Sequence, residues 1–270
     1  MALTVGCDPE VFFHNGTEHV PAIGLVGGTK EEPRPVPFGA VQEDNVMAEF
    51  NITPASNADG FAHNVYMVLN TIEEIANANA CMVSEYPSAT FNKKYLKSEQ
   101  AKTFGCDPDF DAWKLGEVRK VPRLRNSGVR CAGGHVHVGF LADDPEGLGF
   151  RLELVQTMDL FLGLWGVFHD RDRIRRKYYG QAGAFRPKPY GIEYRTLSNF
   201  WIMSNGTRHE VFVRTQAAVL FWQKHRSTDF YYTVLPKLGS KIRAAIKLGD
   251  VELAMTIINI LKDKGYDIGL

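Results

Sequence analysis

The chain has 270 residues, of which 44% are hydrophobic and 23% charged, so it is long enough to bury a sizeable core and has an ordinary globular composition. Lys and Arg together number 31, as do Asp and Glu, so no basic excess indicates nucleic acid as the main partner. The sequence has no apolar run long enough for a membrane span and no N-terminal signal-peptide pattern. These features predict a cytoplasmic protein that binds neither nucleic acid nor membrane.

The first predicted elements are strands followed by a helix. Two β-prone runs flank Asn15-Gly16, a strong two-residue turn signal, and predict a hairpin. The stretch GLVGGTKEEPRPVP is a predicted loop that lacks the spacing of a nucleotide-binding P-loop. Residues 40–54 predict another strand or pair of strands. Apolar residues at helical spacing then predict an amphipathic helix from about Asp59 to Ala78, capped near Asn57 or Asp59.

The middle of the chain gives a weaker pattern. Residues 105–128 predict a long connection with turns, whereas residues 129–141 and 190–202 predict strands. A nearly all-apolar helix of about 20 residues follows Gly147. The basic run Arg171 to Lys177 is interpreted as the solvated end of a helix.

The C-terminal third predicts helices from Thr207 to about His225, from Leu238 to Leu248 and from Asp250 to Lys264, the last capped by Asp250. No repeat or linker is visible, so we expect one domain over residues 1–270, with residues 205–270 a mostly helical C-terminal part. The cysteines form no C-x-x-C pair, which favours a reduced protein and gives a thiolate zinc site no support. They are Cys7, Cys81, Cys106 and Cys131.

Four predicted strand segments carry polar residues two positions apart. In an extended strand, such residues point to the same face. A single pair of this kind is also typical of a solvent-facing strand, but a solvated face usually carries Lys, Thr, Ser and Gln, and this set is an inventory of metal ligands. The pairs are Asp8 and Glu10, Glu49 and Asn51, His135 and His137, and Glu193 and Arg195. Glu43 adds a further carboxylate just upstream of the second pair.

The residue types indicate a particular chemistry. Mg²⁺ and Mn²⁺ take oxygen ligands from carboxylates, and Mn²⁺ also tolerates an imidazole. Carboxylates crowded on one face repel each other unless cations lie between them. An arginine beside such a carboxylate can bind a phosphate group through two hydrogen bonds. The residues therefore predict a sheet whose concave face binds metal ions and a phosphorylated ligand.

The segments GCDPEVFF, QEDNVMAEFNITPA, GGHVHVGF and YGIEYRTL, in this order, resemble the carboxylate-amine ligases encoded by tailed phages and some bacteria. Those ligases are similar in turn to the glutamine synthetase and glutamate-cysteine ligase superfamily. The resemblance extends from about residue 4 to residue 205. It implies an α+β fold in which a curved, mainly antiparallel β-sheet funnel of the glutamine synthetase type packs with helices. ATP is expected at one mouth, the amino-group substrate at the other, and Mg²⁺ or Mn²⁺ ions between them.

The resemblance also implies roles for individual residues. Arg195 matches the arginine that neutralises the transferring phosphoryl group, and Asn51 shares a strand face with the nearby metal ligands. Arg186 and Lys188 are implied as further phosphate contacts, and His137 as a contact to the substrate. The implied metal ligands are Asp8, Glu10, Glu43, Glu49, His135 and Glu193, of which His135 also reaches the nucleotide phosphates.

The implied activity is that of an ATP-dependent amidoligase, a carbon–nitrogen ligase that forms an amide or isopeptide bond through an acyl phosphate. His137 and Glu43 are the candidate bases for the amine. Three alternatives stay open: a phosphotransferase to a nitrogen nucleophile, a metal-dependent amide hydrolase and a non-catalytic nucleotide-binding protein. The expected partners are small-molecule or peptide carboxylate and amine substrates, and an oligomer is possible. If a phage encodes the chain, the host cytoplasm is its expected location.

Overall fold

The structure, a computed structural model, describes residues 3–102, 109–119, 128–139 and 147–270. Its largest element is an open antiparallel sheet of 11 strands in the order β3-β4-β5-β1-β11-β13-β12-β8-β9, with β2 and β6 pairing along the end of β1. The pair β7–β10 forms a separate two-stranded sheet. The strands are β1 Thr4–His14, β2 His19–Val20, β3 Arg34–Val36, β4 Gly39–Asp44, β5 Met47–Ile52, β6 Met82–Ser84, β7 Ser88–Thr90, β8 Phe110–Asp111, β9 Glu117–Val118, β10 Val129–Cys131, β11 Gly134–Gly139, β12 Ala184–Lys188 and β13 Gly191–Tyr194.

Helices cover one face of the large sheet. Helix α1 packs against β4, β5 and β6, and α3 packs against β12 and β13, while α6 packs against both helices. π-helical turns at Asp159–Gly163 and Phe230–Val234 lead into α4 and α7. The helices are α1 Ala58–Ala78, α2 Glu99–Lys102, α3 Gly147–Met158, α4 Leu164–His169, α5 Arg175–Tyr178, α6 Asn205–His225, α7 Leu235–Leu248 and α8 Val251–Asp263. None of these helices combines the length and the apolar character that crossing a membrane requires.

The strand alternation divides the sheet into a core face and a polar face. The core side chains include Val11 on β1, Phe50 on β5, Val136 on β11 and Ile192 on β13, all of them fully buried. Because neighbours along a strand point to opposite faces, the polar residues between these positions all lie on the face away from the helices. That face carries the candidate site.

Several predicted elements are confirmed. Strands β1 and β2 form the hairpin, in which the side chain of Asn15 accepts hydrogen bonds from the backbone of the turn. Residues 40–54 form the paired strands β4 and β5. Helix α1 begins after Asn57, whose side chain accepts a hydrogen bond from the Gly60 amide at 2.8 Å. Asp250 caps α8 in the same way, through the Leu253 amide.

Two predictions are wrong in detail. Residues 129–141 do not form one strand, because β10 and β11 belong to different sheets and the chain leaves the ladder between them. The basic run is only partly solvated, because Arg171, Arg173 and Lys177 are exposed but Arg175 is only 3% exposed and Arg176 only 7%. Their guanidinium groups donate to backbone carbonyl oxygens, those of Thr196 and Leu197 for Arg175 and that of Ile246 among others for Arg176.

Two predictions reach beyond the described residues. Half of the connection predicted at residues 105–128 and one cysteine, Cys106, lie outside them. The described part of that connection forms the short pair β8–β9. Cys7, Cys81 and Cys131 have free thiols.

Candidate active site

The register of the sheet aligns the polar residues in one band across five strands. Glu49 of β5 lies opposite Glu10 of β1, and Asp8 lies opposite His135 of β11. Two residues further along β11, His137 lies opposite Glu193 of β13, which in turn lies opposite Arg186 of β12. Opposite residues in antiparallel strands lie close enough for their side chains to interact. Residues as far apart in the sequence as Asp8 and Glu193 thereby form one continuous polar surface.

The first group in this band is an acidic and imidazole cluster that cations surround. One ligand atom from each of Asp8, His135 and Glu193 lies within 4.8 Å of the others. Arg195 donates to Glu193 Oε1, to His135 Nδ1 at 3.0 Å and to Asp109 Oδ1 at 2.7 Å. We call Asp8, His135 and Glu193 the histidine cluster.

The charges of the histidine cluster are largely compensated. Burial opposes ionisation of Glu193, but Arg195 and the two histidines outweigh it and hold the pKa of this carboxyl at about 2. The same histidines hold the pKa of Asp8 well below its usual range despite burial. Burial and the charge of Arg195 lower the pKa of His135, so its imidazole is neutral at pH 7 and its Nδ1 can accept the hydrogen bond from Arg195.

The second group contains three carboxylates with much less compensation. Ligand oxygens of Glu10, Asp44 and Glu49 lie within 4.8 Å of one another, and we call these residues the carboxylate cluster. Burial and the charge of Asp44 raise the pKa of Glu10 to about 7, and burial together with three neighbouring carboxylates raises the pKa of Glu49 well above its usual value. Burial also raises the pKa of Asp44, although Lys30 opposes it. Such a group fits a divalent cation, which would remove the repulsion and take the oxygens as ligands.

A close backbone approach shapes the wall between the two clusters. The amide of Gly133 donates to Glu10 Oε2 at 2.5 Å. A side chain at position 133 would collide with Nε2 of His135, because a Cβ there would occupy the space of the imidazole. Glycine at this position therefore lets the imidazole and the Glu10 carboxylate lie against the same piece of backbone.

The structure corrects the predicted position of Glu43. Residues alternate along β4, so Asp44 and Gln42 face the site and Glu43 faces away. The Glu43 carboxylate accepts hydrogen bonds from the amides of Gly24 at 2.8 Å and Gly27 at 3.1 Å, and from Nε2 of Gln100 at 3.2 Å. Glu43 therefore fastens the glycine-rich loop, and Asp44 takes the place predicted for it in the carboxylate cluster.

His137 is held by contacts on both ring nitrogens. Its Nε2 lies 3.1 Å from Asp8 Oδ1, and its Nδ1 lies 2.7 Å from the hydroxyl of Tyr190. Burial lowers the pKa of His137, but the charge and hydrogen bond of Asp8 outweigh it and the pKa is raised. Asp8 therefore stabilises the imidazolium form of His137 relative to that of a free histidine.

A chamber of about 260 Å³ opens over both clusters, and we call it the large chamber. The cationic side chains of Arg186 and Lys188 line one side of it. Both lie near Glu193, with Lys188 Nζ 2.8 Å from Oε2 and Arg186 Nη1 3.6 Å from Oε1. Lys30, from the loop that Glu43 fastens, lines the chamber as well. Asn51 lines it beside Glu49, as their spacing on one strand predicts.

A second chamber of about 40 Å³ adjoins the first, and we call it the small chamber. Glu10, Asp44, His135 and Arg195 line both chambers and so form the wall between them. Arg130 and Arg175 line only the small chamber, with Cys131 and others. The site therefore has a wide cationic side and a narrow side with buried arginines, with the carboxylate cluster at the junction.

A buried carboxylate on the opposite face of the sheet supports the end of β13 and the residues after it, which include Arg195. Asp159 accepts hydrogen bonds from Trp113 Nε1 at 2.6 Å, from the Tyr194 hydroxyl at 2.8 Å and from the Thr196 hydroxyl at 3.3 Å. Burial raises the pKa of Asp159 to about 7 against these hydrogen bonds. Tyr194 and Thr196 flank Arg195, so Asp159 fixes the backbone from which the guanidinium extends.

Some residues of the site are missing from the sequence prediction. Asp44 and Gln42 form a pair two positions apart, like the pairs that the prediction used, so the same signal identifies them. Lys30 and Asp109 reach the site from loops, and Arg175 through tertiary contacts, so no periodicity marks them. Residue spacing in the sequence can identify site residues on strands, but it cannot identify those that loops bring to the site.

The comparison with protein families agrees with the motifs. Residues 127–240 match the model of a family described as phage phiEco32-like COOH.NH2 ligase-type 2. The match confirms the resemblance to the phage-type carboxylate-amine ligases over this part of the chain. The matched region contains β11, β12 and β13, and so carries the histidines, Glu193 and Arg195, whereas Asp8 and the carboxylate cluster come from strands before it.

Among solved structures, the chain is similar to the crystal structure of a bifunctional glutathione synthetase from Pasteurella multocida, with a TM-score of 0.40 and 9% sequence identity. The similarity covers 99% of this chain and 50% of that one, so the chain spans about half the length of the protein it matches. None of the curated proteins matches the sequence.

Proposed function

We propose that the chain is an ATP-dependent, Mg²⁺-dependent ligase that joins a carboxylate to an amine through an acyl phosphate. A substrate carboxylate attacks the γ-phosphate of ATP, which releases ADP and leaves an acyl phosphate. The amine then attacks the activated carbonyl carbon, phosphate leaves, and the amine loses a proton. The acid and the amine are small molecules or peptides, such as amino acids.

One observation carries this proposal, namely the different charge of two adjacent clusters. The carboxylate cluster has three acidic groups, of which Glu10 and Glu49 are hard to ionise, whereas the histidine cluster already has cationic neighbours. A complex of a divalent cation with a polyphosphate would neutralise both parts of this surface. The cation would bind the carboxylates, and the phosphates would bind the lysines and arginines. A metal site that only activates water would not require the lysines and arginines beside the carboxylates.

The chain's own residues would divide the work by position. Glu10, Asp44 and Glu49 would hold one Mg²⁺ or Mn²⁺, and Asp8, His135 and Glu193 would hold a second. Ions bound at these positions would neutralise the negative charge of the phosphates. Glu43 has no part in this set, since its carboxylate binds the loop.

Cationic side chains would stabilise the transfer of the phosphoryl group. Arg195 lies in the wall between the chambers, where its guanidinium offsets the charge that develops as the carboxylate attacks. Arg186, Lys188 and Lys30 would orient the phosphates in the large chamber, and His137, which lines the same chamber, would contact the substrate. These groups are held in place before the substrates bind, which is the main source of such stabilisation.

We extend the proposal to the architecture and setting of the enzyme. The open antiparallel sheet, with its polar face and its chambers, supports a glutamine synthetase-like funnel in a single ligase domain, and a cytoplasmic site of action suits an enzyme that uses ATP. Asn51 would contact the nucleotide at the large-chamber end.

Product analysis tests the proposal. The chain is incubated with ATP, Mg²⁺ and pools of amino acids and short peptides, and nucleotides and new amides are measured by mass spectrometry. We expect ADP, phosphate and an amide from the wild type, and no turnover from Glu10→Gln or Glu193→Gln. The matched control is Glu99→Gln, because the Glu99 side chain is 89% exposed.

Each other product pattern contradicts the proposal in its own way. AMP as the only nucleotide product would exclude the acyl-phosphate route. A stable phosphorylated amine without an amide would indicate a phosphotransferase, and amide cleavage without ATP a hydrolase. Normal activity of both active-site variants would remove these carboxylates from the metal sites.

A further inference from the structure

The small chamber contains buried positive charge that the phosphoryl-transfer chemistry of the large chamber does not use. Arg130 is 3% exposed, and its guanidinium donates to Asn45 Oδ1 and to the carbonyl oxygen of Ala101, each at 2.9 Å. Arg175 is equally buried, and its two terminal nitrogens donate to the carbonyl oxygens of Thr196 at 3.1 Å and Leu197 at 2.9 Å. A buried charge normally has a partner of opposite sign, because desolvation is otherwise costly.

Arg175 forms no direct ion pair in the described part of the chain. The charges of Asp170 and Glu10 act on its guanidinium, but no carboxylate oxygen of the described residues accepts a hydrogen bond from it, and its Nε is buried without a hydrogen-bond partner among them. The position of this guanidinium is nonetheless closely fixed. Gly180 has φ +65° and adjoins Nη1 of Arg175, so any side chain at position 180 would displace the guanidinium. The fold therefore holds a buried cation beside a cavity.

The shape and position of the small chamber restrict what it accepts. Its volume of about 40 Å³ has room for a small head group, whereas the large chamber, at about 260 Å³, accommodates a chain of phosphates. The shared wall brings Arg195 and two members of the carboxylate cluster, Glu10 and Asp44, to both chambers. An anionic group in the small chamber would thus lie between the buried arginines on one side and the site proposed for a cation on the other.

We infer that the small chamber binds the carboxylate of the acid substrate, with Arg130 and Arg175 as its recognition residues. This inference rests on the proposed function, which requires a carboxylate next to the phosphates. It assigns the acid to the arginine side of the wall and the nucleotide to the lysine side. Because the chamber is narrow, the substrate class is an acid with an unbranched group next to its reacting carboxylate.

Cys131 provides a reporter for this inference that needs neither ATP nor turnover. The side chain lines the small chamber, and Cys81, at a distant turn, gives an internal reference in the same molecule. The protein is alkylated in the presence of Mg²⁺ with iodoacetate, which carries a carboxylate, or with iodoacetamide, its neutral analogue. Mass spectrometry gives the alkylation rate at each cysteine, and the ratio of the two reagents cancels the intrinsic reactivity of each thiol.

The expected ratio of iodoacetate to iodoacetamide is roughly tenfold higher at Cys131 than at Cys81, corresponding to about 1.4 kcal/mol of preference for the carboxylate. Arg175→Met and Arg130→Met should lower the ratio at Cys131 to that of Cys81, whereas Arg175→Lys should keep part of it. Acetate should protect Cys131 from iodoacetate, and inorganic phosphate should protect it less. The wild-type comparison stands on its own if a methionine variant fails to fold.

Two results would overturn the inference. One is an equal ratio at Cys131 and Cys81 in the wild type, and the other is stronger protection of Cys131 by phosphate than by acetate. A ligase that makes an amide yet shows equal ratios would refute the chamber assignment alone. A high ratio in a protein that makes no amide would instead keep the carboxylate chamber and refute the ligase function.

Discussion

Replacing Glu10 with glutamine should change how the stability of the metal-free protein depends on pH. Burial and the charge of Asp44 raise the pKa of this carboxyl from its usual 4.5 to about 7. Each pKa unit corresponds to about 1.4 kcal/mol, so the ionised carboxylate makes the folded chain roughly 3 kcal/mol less stable than the protonated one. The charge of Glu10 is therefore a cost that only a bound cation offsets.

The sign of the effect follows from proton binding. Between pH 4.5 and about 7, the folded chain holds a proton on Glu10 that the unfolded chain has lost, so the free energy of unfolding falls as the pH rises through this window. Glu10→Gln lacks this contribution. With EDTA present, the variant should equal the wild type near pH 4 and exceed it by roughly 3 kcal/mol at pH 8.

Urea denaturation across this pH range, monitored by tryptophan fluorescence, measures the difference. The variant Glu99→Gln, at an exposed position, serves as the control and should follow the wild type. Mg²⁺ at pH 8 should reverse the order, because it stabilises the wild type by mass action and the variant much less. Parallel curves for Glu10→Gln and wild type in EDTA would refute the reasoning.

Three further substitutions test individual contacts. Arg195→Lys keeps the charge but not the forked hydrogen bonds, so kcat should fall by about 100-fold or more, and a loss below about fivefold would contradict its role in phosphoryl transfer. Glu43→Ala frees the loop that carries Lys30, so the KM for ATP should rise roughly tenfold with little change in kcat, whereas a collapse of kcat would restore Glu43 to the metal site. Asp159→Ala leaves the buried Tyr194 hydroxyl without its acceptor and should lower the free energy of unfolding by about 2–4 kcal/mol, which an unchanged urea midpoint would contradict.

The pairs of polar residues on strands show which part of the site could be predicted from the sequence. Asp8 with Glu10 and His135 with His137 could be assigned to one face because side chains alternate strictly along a strand. The same rule applies to β4, where it selects Gln42 and Asp44. Glu43 was included because it is a carboxylate close to the second pair and matches the family pattern, without the alternation being applied to its strand. Local geometry thus determined which face each residue occupies, and a shift of one position reverses that face.

Tertiary contacts account for what the sequence could not predict. Arg175 and Arg176 look like a solvated basic run, yet carbonyl oxygens 21 and 70 residues away bury them. Local periodicity contains no information about such partners. The division of the site into two chambers likewise depends on the meeting of β1, β11 and β13 with loops from elsewhere in the chain, so it emerges only from the complete fold.

The acyl phosphate is the central claim, and an isotope transfer tests it most directly. Amino acids and peptides with ¹⁸O in their carboxyl groups are incubated with the chain, unlabelled ATP and Mg²⁺, and the released phosphate is analysed by mass spectrometry. Because the attacking carboxylate oxygen remains on phosphorus when the amine displaces phosphate, we expect one ¹⁸O in the phosphate for each amide formed. Amide formation with unlabelled phosphate would contradict the account.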